Sequence, residues 1–133
     1  MALHDYEELD EDDFYGQGFK QDGVVSIWIG IGDPKSLDPK IDVLQDLCGV
    51  GQYDLDNQEV VIKDKVTALA DLVADVSYAE SFSKAVARAP RAQDVRGRWL
   101  VAQFDFKYTP KRVKRTIARE PRFLGAFPYR ADD

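Results

Sequence analysis

Residues able to do covalent chemistry are scarce in this chain, while carboxylates are plentiful. It has one histidine, His4, one cysteine, Cys48, and 24 acids. A serine or cysteine nucleophile needs a base beside it. His4 lies inside an acidic terminal run, so a Ser–His or Cys–His pair would have to be built there. Cys48 shares helical spacing with Leu37, Ile41, Leu44 and Leu47, the setting of a buried structural thiol rather than an ionised nucleophile. A single cysteine also excludes an internal disulfide and a cysteine-rich zinc site. Acid–base catalysis by two carboxylates requires a dry cleft that drives their pKa values apart, and no spacing among the 24 acids singles out such a pair.

Two motifs begin and then fail. Asp54-Leu55-Asp56-Asn57-Gln58 starts like a calcium loop, but the glycine position is Glu59 and the closing bidentate acid position is Lys65. Gly30-Ile31-Gly32 resembles the start of a dinucleotide loop, but the third glycine would fall at Lys35, and Pro34 and Pro39 crowd the helix start. The expectation is a protein without catalytic residues, metal or cofactor.

Charge carries more information. The 133 residues sum to −6, yet residues 1–83 hold 19 acids against 5 bases, and residues 84–133 hold 13 bases against 5 acids. Such segregation points either to charged partners or to two halves that attract each other in the fold. Lys111, Arg112, Lys114, Arg115 and Arg119 form a basic loop flanked by Tyr108 and Phe123. This is the spacing of a phosphate-binding patch, although the acidity of the rest of the chain repels a polyanion.

The elements that would position these groups are legible in outline. Residues 1–13 contain seven acids and no base, and Gly16, Gly18 and Gly23 follow. Self-repulsion predicts a flexible acidic arm over 1–22, with a single domain over 23–133. Val24 to Ile31 reads as a central strand, with Val25, Ile27 and Ile29 on one face and Val24, Ser26 and Trp28 on the other. Leu37 to Cys48 has helical spacing and ends at Gly49. Residues 53–62 begin as a polar loop and end as an apolar run of either type. Val66, Leu69, Ala70, Val73 and Val76 predict a helix over 63–76. Ser77 and Glu80 match a capping box for a helix over 78–89, ended by Pro90. Trp99 to Tyr108 and Arg122 to Tyr129 read as strands joined in a long hairpin, with Phe104, Phe106 and Tyr108 on one side. Gly125 and Pro128 suggest a bend or an edge. The fold class is α+β, a small mainly antiparallel sheet with two to three helices packed on one face. No apolar run is long enough to span a bilayer. The acidic N-terminal run is unlike a signal peptide, so a cytoplasmic location is expected.

Four segments, in order, resemble the immunity protein 22 family of bacterial polymorphic toxin systems. They are Val25-Ser26-Ile27-Trp28-Ile29-Gly30, Ser77-Tyr78-Ala79-Glu80-Ser81-Phe82, Asp105-Phe106-Lys107-Tyr108 and Phe123-Leu124-Gly125-Ala126-Phe127-Pro128-Tyr129. The resemblance covers about 24–129. It implies a small α+β protein that binds a cognate toxin domain and protects the producer or its kin, an antitoxin acting by occlusion with no catalytic residues to carry over.

Toxins that act on nucleic acid present basic grooves, which an acidic surface can occupy and steer toward. The expected contacts are Asp10, Glu11, Asp12 and Asp13 of the arm and Asp54, Asp56 and Glu59 of the acidic loop. Tyr15 and Tyr53 are the aromatic anchors. Two other readings remain open: a protein–protein adaptor without a toxin partner, and a nucleic-acid-binding module using the 111–119 loop.

Overall fold

Apolar side chains on both faces of one strand suit a position with neighbours on each side and a layer above and below. The computed structural model describes residues 16–131 and places such a strand at the centre. Lys20–Gly30 forms β1, paired with β3 (Arg96–Phe106) on one edge and β4 (Arg122–Pro128) on the other. The strand β2 (Gln58–Ala68) pairs with β3, giving an antiparallel sheet of order β2-β3-β1-β4. The α+β class is as the sequence predicts.

Val25, Ile27 and Ile29 face a layer made by α1 (Leu69–Val73) and α2 (Ser83–Arg88), where Leu72, Val73, Phe82 and Val86 are buried. Trp28, Trp99 and Val101 face the opposite layer. There a π-helical turn, Val43–Leu47, and the residues after it supply Leu44, Cys48 and Val50. Gly49 closes this turn with φ +73°, the left-handed conformation that ends helices. Gly30 serves packing instead: a Cβ there would sit 1.9 Å from the Trp99 ring.

Several local expectations are corrected. Residues 63–68 belong to β2, not to a helix, and α1 starts only at Leu69. The β-branched Val66 and Thr67 favour a strand, and Thr67 and Ala68 pair with Gly97 and Arg96. Local helical spacing loses to the ladder.

The Ser77–Glu80 capping box does not form. Tyr78 adopts φ +60°, the turn 79–81 is a short 3-10 segment, and the Ser77 N–H donates to Glu59 at 2.9 Å.

Strands β3 and β4 are not a hairpin, because β1 lies between them. The two apolar faces and two free edges of β1 accept both partners. The long 107–121 connection crosses over.

Phe104, Phe106 and Tyr108 do not share a face. Asp105 has φ +56° at a break in the β1–β3 register, so Phe104 enters the helix-side layer while Phe106 and Tyr108 enter the other. The bulge is held by the Asp105 carboxylate, which accepts from the Gly23 N–H at 2.9 Å and the Tyr129 hydroxyl at 2.7 Å.

Residues 17–22, expected in the arm, are part of the fold. Phe19 is buried against Phe106 and Tyr108, with ring centroids 5.5 Å away in each pair. The Gln17 amide donates to the Gly49 carbonyl at 2.8 Å and accepts from the Gly51 N–H at 2.9 Å. Residues 1–15 lie outside the described residues.

Candidate functional site

Edge strand β2 presents its two faces differently. Val61 packs on the helix-side layer. Glu59 and Lys63 lie on that same side, where Glu59 accepts from Ser77 and Lys63 pairs with Asp75. Val60 and Ile62 alternate to the other face and stay 51% and 58% exposed. Leu55, in the turn just before β2, is 66% exposed. Together these three border a groove of about 440 Å³. Trp99 and Val101 contribute from β3, and Leu37, Ile41 and Val43 from the segment beside the π-helical turn.

Among the described residues, Asp42 and Lys40 are the charged ones in the groove wall, and Asp54 and Asp56 flank its Leu55. The Tyr53 hydroxyl donates to Asp42 at 2.8 Å, and Asp42 also accepts from the Gln45 N–H at 3.1 Å, capping the π-helical turn. Burial first, and then the Asp42 carboxylate, raise the Tyr53 pKa above the usual phenol range. Asp54 caps the following turn by accepting from the Asp56 N–H at 3.0 Å. Its backbone carbonyl accepts from the buried Gln103 amide at 2.7 Å. This fixes the turn to β3 and leaves both the Asp54 and Asp56 side chains in solvent.

Tyr53 also lines a second, open cavity of about 600 Å³ on its other side. Asp22, Asp54 and Asp105 border it, with Lys20 as the one base among the described residues, and so do Gly16 to Phe19, where the described chain begins.

The predicted site residues therefore separate. Tyr53, Asp54 and Asp56 come together beside the groove. Glu59 lies across the sheet and holds the loop between α1 and α2. Asp10, Glu11, Asp12, Asp13 and Tyr15 lie outside the described residues. Sequence reasoning missed Leu55, Val60 and Ile62. The β-branched run Val60-Val61-Ile62 was the available signal, and the helical spacing just downstream masked it.

The remaining chemistry-bearing groups are quiet. Cys48 is fully buried. Desolvation and, less strongly, the negative Asp42 push its thiol up to about 12, so it is protonated at neutral pH and a poor nucleophile. Among the described residues no group of three or more His, Cys, Asp or Glu side chains is arranged to hold a metal ion. No described helix is long and apolar enough to cross a membrane. Comparison with protein-family models, curated proteins and solved structures finds no match to this chain.

Proposed function

We propose that this chain is an immunity-type inhibitor that binds a toxin domain and neutralises it by non-catalytic occlusion. The observation that carries the reading is the β2 groove, with Val60 and Ile62 exposed on the edge strand and Leu55 in the turn before it, beside the exposed acids Asp54 and Asp56. Edge strands are ordinarily blunted, because unpaired backbone groups beside apolar side chains invite pairing with other chains. Keeping such an edge is a liability for a protein that works alone and an asset for one that docks. Fully burying a side chain of this kind contributes about 1.5–3 kcal/mol, so three of them make a credible anchor cluster. The acids beside them would steer a basic groove toward the anchor before contact. The ordered resemblance of four segments to the immunity protein 22 family supports the same reading.

An adaptor would use the same surface, and the identity of the partner separates the two readings. The direct experiment is copurification with the product of the adjacent gene, tested for toxicity on its own. A stable complex in which toxin activity is lost supports inhibition. A complex with full toxin activity supports the adaptor, and no complex removes the proposal.

A further inference from the structure

Glu59-Val60-Val61-Ile62-Lys63 of β2 is complementary to itself when reversed. Val61 is the centre, with an acid two residues before it and a base two residues after it. Laid antiparallel on a second copy with Val61 opposite Val61, Glu59 of each copy meets Lys63 of the other. In the same register Val60 meets Ile62. Residues directly opposite in an antiparallel pair share a face of the sheet, and opposite charges or β-branched pairs there are favourable.

The contacts within the chain settle the faces this register needs. Val61 packs on the helix-side layer, where Glu59 accepts from the Ser77 N–H and Lys63 pairs with Asp75. Val60 and Ile62 are exposed on the other face. The charged pairs would therefore form on one face of the joined sheet and the apolar pairs on the other. Lys63 keeps 34% of its side chain in solvent, and an ammonium has three protons to donate, so it can serve an acid across the edge as well as Asp75.

The edge itself is open. β2 is terminal in the order β2-β3-β1-β4, so among the described residues its outer edge has no strand partner. Its register with β3 is regular over Gln58–Ile62 and breaks only beyond Ile62. That stretch contains no proline, glycine or lysine, residues that commonly blunt an edge.

We propose that two copies of this chain pair through β2, antiparallel about a twofold axis at Val61, so that their four-stranded sheets become one. The contact is isologous and closes at two copies. A single short ladder lies at the low end of specific interfaces, so the dimer forms reversibly and separates on dilution. A toxin docking on the same groove would compete with the second copy, and self-pairing would cover Val60 and Ile62 until it arrives. That competition rests on the toxin-binding reading; the pairing does not.

The test is sedimentation of the full-length chain alone over a wide range of concentration. The mass should rise reversibly from one chain to two. Glu59→Lys or Lys63→Glu alone puts like charges at both ends of the ladder and should weaken the dimer by roughly tenfold or more. Mixing these two single variants should restore association, because lysine ends then meet glutamate ends, and the double swap Glu59→Lys/Lys63→Glu should pair with itself. If a single variant unfolds, Val60→Lys and Ile62→Glu at exposed positions serve instead: each alone should weaken the dimer and the two in one chain should restore it. A chain that stays single at every concentration, a dimer indifferent to the single reversals, or no recovery on mixing or swapping would overturn the pairing. In the first case, binding of the adjacent gene's product by the same edge assigns that edge to the other partner. A dimer with the expected charge pattern stands even if that product does not bind, so the two proposals fail separately.

Discussion

The Tyr53 hydroxyl donates a 2.8 Å hydrogen bond to the Asp42 carboxylate, tying the acidic loop to the π-helical turn across one end of the β2 groove. Asp42 keeps its Gln45 contact whether or not Tyr53 is present. Tyr53→Phe therefore removes one donor and leaves the ring in place. The expected cost is about 1 kcal/mol of stability, read as a lower urea midpoint with an unchanged slope. In a double-mutant cycle with Asp42→Asn, the two effects should be less than additive. Full additivity would mean that the bond contributes nothing in solution.

The acids near the groove should govern the rate of association more than the stability of the complex. Asp54→Asn with Asp56→Asn preserves the turn, because Asn caps as Asp does, yet removes two charges. Slower association and a flatter salt dependence are expected. Glu59→Gln, on the other face of the sheet, should leave the association rate unchanged. Stopped-flow or surface-based kinetics at several salt concentrations reads all three. An equal effect from Glu59→Gln would mean that overall charge, not the groove face, does the steering.

What was legible in the sequence follows from how local each signal is. β1 could be read because its alternation and its apolar content on both faces agree, and Val25 and Trp28 are buried in opposite layers. Gly49 could be read as a helix end because a left-handed position leaves few residue choices. The split at Asp105 could not be read, since a single residue at φ +56° reverses the facing of Phe106 and Tyr108 without altering the residue pattern. Residues 63–68 misled because Val66, Leu69, Val73 and Val76 keep helical spacing across a strand–helix junction. The loss of Val60 and Ile62 from the candidate list followed directly, as an edge strand is visible only once its neighbours are known.

Gly30→Ala tests the packing between β1 and β3. The new Cβ would overlap the Trp99 ring, which is itself buried. Overpacking of this kind typically costs about 1–3 kcal/mol, and more where the neighbour cannot move. A marked fall in Tm, with loss of the near-ultraviolet signal of the tryptophans, is expected. A midpoint within a degree or two of the parent would contradict the close approach.

Alkaline pH should destabilise the fold through a buried thiol and a part-buried, hydrogen-bonded phenol that the fold keeps protonated. Cys48 is raised from 9.0 to about 12, chiefly by desolvation. Tyr129 is raised from 10.0 to about 12 by desolvation and then by its bond to Asp105. In both cases the unfolded chain releases its proton first, so stability falls as pH rises. The loss begins near pH 9 for Cys48 and near pH 10 for Tyr129. It levels off near pH 12, where folded and unfolded states are both ionised. Urea midpoints from pH 8 to 11 should fall with pH, and Cys48→Ala should shallow the decline above pH 9. A flat profile in the parent would contradict the burial of Cys48 and the Tyr129–Asp105 hydrogen bond.

The central claim is that the chain protects cells by docking on a toxin through the β2 groove. The most direct measurement is survival of cells that express the product of the adjacent gene together with either this chain or its Val60→Asp/Ile62→Asp variant. Both substituted positions are exposed, so the variant should keep its unfolding free energy within roughly 1 kcal/mol of the parent. Predicted is survival with the parent chain and death with the folded variant. Survival without any copy of this chain, death despite the parent chain, or equal protection by both forms would contradict the account.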